Sequence, residues 1–137
     1  WDMQYWLIKS DPETYGWKEM VRDGKTSWDG IRNYAARLHL RSMKKGDRCL
    51  FYQSVKQPEV VGVVEVVKTA YPDPTAKDGD WSAVDVKVVA ALPRPVTLAD
   101  IKAENSLKDM VLVNNTRLST QPVTEFQFNY ILDMSRR

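Results

Sequence analysis

The sequence is short of the residues on which most metal sites and many catalytic sites depend. Its 137 residues include one cysteine and one histidine. The single cysteine, Cys49, excludes an internal disulfide and suits a reducing compartment. A structural zinc site needs several Cys or His ligands, so Cys49 and His39 together exclude a site of that kind. We therefore expect no metal and no cofactor.

Long apolar runs are also missing. No stretch approaches the roughly 20 apolar residues that a membrane-spanning helix needs, and no signal peptide is visible. We expect a cytoplasmic protein, or a nuclear one in a eukaryote, without a membrane partner. The opening Trp1-Asp2-Met3 is unusual, and we expect the natural chain to start at Met3.

Neither sign of charge is in large excess. The chain carries 20 basic and 18 acidic side chains, a net charge of +2, so binding to nucleic acid must rest on a local patch. Hydrophobic residues make up 43% of the chain and charged residues 28%, which is typical of a folded globular protein. The length fits one hydrophobic core. We predict a single domain over 1–137, with a monomer as the expected state.

Strand patterns dominate the middle of the chain. The run Val60-Val61-Gly62-Val63-Val64 is apolar on both faces, which predicts a central strand covered on each side, as in a closed or partly closed barrel. Gly62 within it indicates a bend or a close approach to the backbone. Strands or extended segments are predicted at 4–9, 48–53 and 60–68, around 84–88, and near 117–119.

Short helices are predicted between and after these strands. Thr97 and Thr124 each open a capping box. On the second helix and just after it we expect Ala35, Leu38 and Met43 to face inward, and before it we predict a turn at Trp28-Asp29-Gly30. The fold class is α+β, a mixed β-barrel of about five to six strands decorated by short helices. The predicted helices are 17–22, 33–41, 97–103 and 124–134.

Aromatic and amide side chains around Trp28 suggest a site for a flat ligand. An unpaired base needs an apolar surface to stack on and a polar group that reads its edge. Trp28 and Tyr52 are the candidate stacking residues, and Asn33 and Ser10 are the candidate hydrogen-bonding residues. The alternatives are that Trp28 is an ordinary core residue and that Asn33 is the N-cap of its helix.

Basic residues follow Trp28 closely. Arg37 and Arg41 are four residues apart, so they share a helix face and can both reach a phosphate backbone. The alternative is that they form a solvated helix face. The candidate phosphate-contacting residues are Lys9, Arg32, Arg37, Arg41, Lys44 and Lys45.

Motifs that would identify an enzyme are missing. There is no Gly-x-Gly-x-x-Gly and no P-loop, and His39 has no serine or cysteine nucleophile beside it. We therefore expect a non-catalytic binding module. Two alternatives remain open: a small enzyme acting on a modified base or nucleotide, with Asp29 or Asp85 as acid or base, and a protein-interaction or small-ligand module in which Arg117 binds an anion.

Seven segments, spread over nearly the whole length of the chain, match the pattern of a known family. The first two matching segments are Tyr5-Trp6-Leu7-Ile8-Lys9-Ser10-Asp11-Pro12 and Trp28-Asp29-Gly30-Ile31-Arg32-Asn33-Tyr34-Ala35-Ala36-Arg37. The others are Met43-Lys44-Lys45-Gly46-Asp47, Phe51-Tyr52-Gln53-Ser54, Val61-Gly62-Val63-Val64-Glu65-Val66, Ala70-Tyr71-Pro72-Asp73-Pro74-Thr75 and Arg117-Leu118-Ser119-Thr120-Gln121-Pro122-Val123-Thr124.

With these segments the chain resembles the EVE domain family. The resemblance implies a PUA-like fold, related to YTH and ASCH domains. It also implies recognition of a modified base, such as modified cytosine, in DNA or RNA. The family usually has Glu at Asp11, commonly His at Gln53, and often Val at Thr120. Carried onto this chain, the base-binding pocket comprises Ser10, Trp28, Asn33, Tyr34, Tyr52, Ser54, Arg117, Leu118 and Ser119.

Overall fold

The computed structural model describes residues 3–10, 15–29, 31, 33–53, 58–115 and 118–137. The strands are β1 (Tyr5–Ser10), β2 (Lys25–Trp28), β3 (Arg48–Gln53), β4 (Glu59–Pro72), β5 (Ser82–Thr97) and β6 (Thr120–Val123). The helices are α1 (Trp17–Asp23), α2 (Tyr34–Ser42), α3 (Leu98–Ala103), α4 (Val111–Asn114) and α5 (Glu125–Met134), with a 3₁₀ turn at Asn105–Leu107. Within the described ranges, no helix is long and apolar enough to cross a membrane.

In these ranges the strands form one six-stranded sheet in the order β2-β5-β4-β3-β1-β6. β1 runs parallel to β3, and the other neighbouring strands are antiparallel. The predicted α+β class with about six strands is confirmed. The predicted barrel is wrong, because β2 and β6 are the two edges of the sheet and do not pair within the described residues. Each edge strand has only four residues. Pro122 in β6 has no backbone N–H to donate to an additional strand at that edge.

Two hydrophobic cores cover the two faces of the sheet. Successive side chains of a strand point to opposite faces, so Leu7 and Leu50 pack on one side while Ile8 and Phe51 pack on the other. Helices α3, α4 and α5 cover the first face, and α1 and α2 cover the second. Val60-Val61-Gly62-Val63-Val64 is buried throughout, as predicted for a central strand.

The capping boxes are also confirmed. Thr97 Oγ1 accepts from the backbone N–H of Asp100 at 3.0 Å. Thr124 Oγ1 accepts from the backbone N–H of Gln127 at 3.1 Å. Each threonine thereby satisfies an otherwise unpaired donor of the first helical turn.

Three local predictions are wrong. Trp28 ends a strand, β2, instead of lying in a turn, and the late extended segment is Thr120–Val123 rather than 117–119. Met43 is buried as predicted, but Ala35 and Leu38 are exposed, while Ala36 and Leu40 face the core. Ala36 and Leu40 are four residues apart and so lie on one helix face. The predicted inward residues therefore precede the buried ones by one and two positions.

Candidate functional site

Four aromatic side chains pack together on the sheet face that carries Phe51. The ring centroid of Trp28 lies 5.6 Å from that of Phe51 and 6.4 Å from that of Tyr15. The Trp17 and Phe51 centroids are 5.2 Å apart. Trp28 and Phe51 are buried, whereas Tyr15 and Trp17 are half-buried. This aromatic cluster, Tyr15, Trp17, Trp28 and Phe51, therefore extends from the core toward the surface.

The sheet fixes the two buried rings, and two contacts fix Trp17. The backbone N–H of Trp17 donates to Gln53 Oε1 at 2.8 Å. Its indole lies against Gly62, where an added Cβ would be 2.2 Å from the ring. Gln53 thus anchors the start of α1 with an amide oxygen, and the missing side chain at Gly62 makes room for the indole.

Ser10 joins the end of β1 to the same cluster. Its buried Oγ donates to the backbone carbonyl of Tyr15. Ser10 also pairs with Gln53 in the β1–β3 register, so the two polar side chains lie side by side at the ends of adjacent strands. Both hold the segment that carries Tyr15 and Trp17.

Trp28 carries a buried donor that is not used within the described residues. The residue is 8% exposed, and its Nε1–H has no hydrogen-bond partner there. In contrast, Trp6 Nε1 donates to Asp47 Oδ2 at 3.0 Å. An unpaired buried donor costs about 1–3 kcal/mol. A group of aromatic rings with a donor that has no partner among the described residues is chemically suited to a heteroaromatic ring that offers an acceptor.

Tyr52 lies on the opposite face of the sheet from Trp28. It packs in the core that contains Leu7, and Lys9 Nζ lies 5.6 Å from its ring centroid. Burial raises the pKa of Tyr52 and lowers that of Lys9. Phe51, rather than Tyr52, is the residue of β3 that contacts Trp28.

The late motif lies beside β1. Leu118 is buried, and the carbonyl of Ser119 accepts from the backbone N–H of Lys9 at 2.9 Å. Thr120 is buried as well, and its Oγ1 has no partner within the described part of the chain. Arg32, Ser54 and Arg117, which the sequence analysis predicts to contact the ligand, lie outside the described residues.

Asn33 and Tyr34 begin helix α2. Asn33 is the N-cap, and its Oδ1 accepts from the backbone N–H of Ala36 at 3.0 Å. Tyr34 is 68% exposed, and its ring stacks on Trp81 with centroids 5.2 Å apart and planes at 30°. The structure therefore gives Asn33 a capping contact and pairs Tyr34 with the loop before β5.

The two arginines of α2 contact that loop too. Arg37 Nη1 donates to the carbonyl of Asp80 at 2.7 Å. Arg41 Nη2 lies 2.9 Å from Asp80 Oδ2. Lys44 and Lys45 are exposed just after the helix. Contact of Arg37 or Arg41 with phosphate would therefore compete with these internal contacts.

The groups considered for catalysis have packing or hydrogen-bonding partners. His39 lies against the Trp6 ring with centroids 5.8 Å apart, and burial lowers its pKa. Cys49 is buried, which raises the pKa of its thiol. Asp85 accepts from the Tyr71 hydroxyl at 2.5 Å. Among the residues that the structure describes, no group of three or more His, Cys, Asp or Glu side chains is placed to hold a metal ion.

Sequence reasoning missed Tyr15, Trp17 and Phe51 as members of the cluster and Trp81 as the partner of Tyr34. One signal was available, since Gly62 inside an apolar strand indicated a close approach, which Trp17 provides. Strand alternation also requires Phe51 and Tyr52 to face opposite sides. The contact with Trp81 joins segments far apart in the chain and leaves no local pattern.

The chain belongs to the EVE domain family, whose profile matches residues 4–134. Human thymocyte nuclear protein 1 is 36% identical over 97% of this chain and 74% of that protein. Its structure in complex with 5-methylcytosine-containing DNA has a TM-score of 0.90, with 34% identity and coverage of 98% of both chains.

The structure of a protein from Agrobacterium tumefaciens is also similar to this chain, with a TM-score of 0.93 and 43% sequence identity. The match covers 96% of this chain and 92% of that one. A YTH domain from Zygosaccharomyces rouxii, solved with N6-methyladenosine RNA, has a TM-score of 0.63 at 20% identity, covering 97% of this chain and 86% of that one. The YTH domain shares the fold.

Proposed function

We propose that this chain, as a single EVE domain, is a non-catalytic module that binds nucleic acid and recognises a modified base at the aromatic cluster. The observation that carries the proposal is the buried Trp28, which lies within a group of packed aromatic rings and whose Nε1–H has no partner among the described residues. The relative solved with 5-methylcytosine-containing DNA supports modified cytosine as the first base to test.

The chemistry of the cluster suits a base taken out of its stack. Stacking on an aromatic ring contributes about 1–3 kcal/mol per base. An acceptor on the base, such as a carbonyl oxygen or an unprotonated ring nitrogen, can accept a hydrogen bond from the Trp28 Nε1–H. Preference for the methylated base then depends on shape, because one methyl group in an apolar pocket is worth roughly 1–3 kcal/mol.

Ser10 and Gln53 act in this proposal by positioning the aromatic residues. Their contacts with Tyr15 and Trp17 hold the half-buried side of the cluster in place. A preformed surface binds more tightly than one that must be ordered first. The remaining residues of the predicted pocket, Ser54 and Arg117 among them, stay in the proposal as predictions.

The packing of His39 and the burial of Cys49 support a non-catalytic role. His39 packs on Trp6, and the Cys49 thiol is buried with a raised pKa. For a eukaryotic source we keep a nuclear location as the expectation, in line with the names of the relatives.

Titration of two DNA oligonucleotides that differ by one 5-methyl group tests the proposal. We expect wild type to bind the methylated one about 10-fold more tightly or better. Trp28→Phe keeps a ring but loses the Nε1–H, and we expect it to lose most of that preference. Trp6→Phe is the matched control, because it makes the same change in the same core outside the cluster.

Equal binding of the two oligonucleotides by wild type would contradict the proposal. So would full preference in Trp28→Phe. Melting temperatures of both variants show whether each is folded at the assay temperature, so a loss of binding is not mistaken for unfolding.

A further inference from the structure

An exposed aromatic ring at the start of α2 is held in a fixed position. Tyr34 is 68% exposed, yet its ring stacks on Trp81 with centroids 5.2 Å apart. The guanidinium Cζ of Arg37 lies 4.9 Å from the Tyr34 centroid and 5.3 Å from the Trp81 centroid. A ring and a cation thus fix an aromatic surface that faces solvent.

The loop that supplies Trp81 is tied to α2 by hydrogen bonds. Arg37 Nη1 and Arg41 Nη2 both donate to the carbonyl of Asp80, at 2.7 and 3.1 Å. Arg41 Nε donates to Ser82 Oγ at 2.9 Å. Residues on both sides of Trp81 are therefore anchored, and the Tyr34 surface is ready before any ligand arrives, which limits the entropy lost on binding.

The Tyr34–Trp81 stack lies near the aromatic cluster. Trp28 pairs with Val84 in the β2–β5 register, and Trp81 precedes Val84 by three residues. Three residues of extended chain span roughly 10 Å. Successive phosphates of one strand in a duplex are about 3.4 Å apart along the axis. The stack is thus within a few nucleotides of a base bound at Trp28.

The helix side of the Tyr34 surface is basic, whereas the loop that supplies Trp81 carries Asp78 and Asp80, of which Asp80 is paired with Arg41. Helix α2 and the turn after it contain no acidic residue between Asn33 and Lys45. They carry Arg37, Arg41, Lys44 and Lys45. Leu38, 59% exposed, lies four residues after Tyr34 on the same helix face. An aromatic and an aliphatic side chain flanked by cations can contact bases and backbone together.

We propose that this face of α2 is a second nucleic-acid contact, in which the ring of Tyr34 stacks on a nucleobase that flanks the recognised base. The inference rests on the proposed function, because it takes the recognised base to lie at the aromatic cluster. It moves Tyr34 from the base pocket, where sequence resemblance put it, to the neighbouring nucleotide. The intramolecular arginine contacts then serve to hold the stacking surface.

The test compares Tyr34→Ala with wild type on three ligands. These are a methylated oligonucleotide, the same oligonucleotide with abasic residues on both sides of the 5-methylcytosine, and free 5-methylcytidine. We expect Tyr34→Ala to bind the intact oligonucleotide about 5- to 150-fold more weakly, the range for loss of one stacked base. The loss disappears with abasic flanks, and binding of the free nucleoside keeps its wild-type affinity.

Two further variants make the comparison specific. Tyr34→Phe keeps the ring, so it recovers most of the affinity lost in Tyr34→Ala. Phe126→Ala removes a ring on α5 that is similarly exposed, at 60%, and keeps wild-type affinity for every ligand. Because Tyr34 and Phe126 are both exposed, we expect both alanine variants to stay folded, and their melting curves verify this.

Three results would overturn the inference. They are an oligonucleotide affinity for Tyr34→Ala within twofold of wild type, an equal loss with abasic flanks, and an equal loss for the free nucleoside. Failure of the proposed function looks different, because wild type then binds methylated and unmethylated oligonucleotides alike. In that case the comparison of Tyr34→Ala with wild type on the unmodified oligonucleotide still decides the role of Tyr34. If wild type fails to bind every oligonucleotide, both proposals are overturned.

Discussion

The indole of Trp17 fills the space that the side chain of any other residue would occupy at Gly62. A Cβ at Gly62 would lie 2.2 Å from Trp17 Cη2 and 2.3 Å from Trp17 Cζ2. The indole in turn packs on Phe51, with ring centroids 5.2 Å apart. The central strand of the sheet and the half-buried edge of the aromatic cluster are therefore built against each other.

Gly62→Ala is expected to lower the free energy of unfolding by about 1–3 kcal/mol, because the added methyl overlaps a large ring that is itself packed. Urea unfolding measures the change. In a Trp17→Phe background the ring is smaller, so the same substitution should cost less. An equal cost in both backgrounds would show that the indole is not what the methyl meets.

Asn33→Ala is expected to destabilise the protein by about 0.5–2 kcal/mol, since it removes the cap of α2. Asn33→Ser restores an oxygen that can accept the same N–H and should recover most of the loss. Thermal unfolding of the three proteins makes the comparison. If Asn33→Ser is as unstable as Asn33→Ala, the amide does more than cap the helix.

His39 predicts a pH dependence of stability. Burial lowers its pKa below the ordinary value of 6.5, so the unfolded chain takes up the proton before the folded protein does. The contribution is fully present above pH 6.5 and is lost as the pH falls from there through the folded-state pKa. His39→Gln should flatten the decline in unfolding free energy over this window. An unchanged slope in the variant would assign the decline to other groups.

Most of the sheet and the capped helices could be predicted, because their signals are local. Alternating valines and the run around Gly62 located β4 and β5, and Thr97 and Thr124 located two helix starts. Strand β2, Lys25–Trp28, could not be found this way. Its residues are mostly polar, and pairing with β5 makes it a strand.

The candidate site was predictable only in part. Ser10 and Trp28 were selected from the sequence, and the structure joins them through Tyr15. Tyr52 was also selected, but its neighbour Phe51 is the residue of β3 that contacts Trp28, as strand alternation requires, and a role for Tyr52 in the pocket stays a prediction. Tyr34 depends on Trp81, and a contact between such distant segments follows from the tertiary fold.

We propose that a modified base binds against Trp28, and the indole N–H resonances of the five tryptophans report that contact. Trp28→Phe assigns the resonance of Trp28, and Trp6, already bonded to Asp47 at 3.0 Å, is the internal reference. With the methylated oligonucleotide, we predict that the Trp28 resonance shifts strongly because its N–H gains an acceptor, while that of Trp6 stays nearly fixed. Saturating binding of methylated DNA with an unmoved Trp28 resonance would contradict the claim.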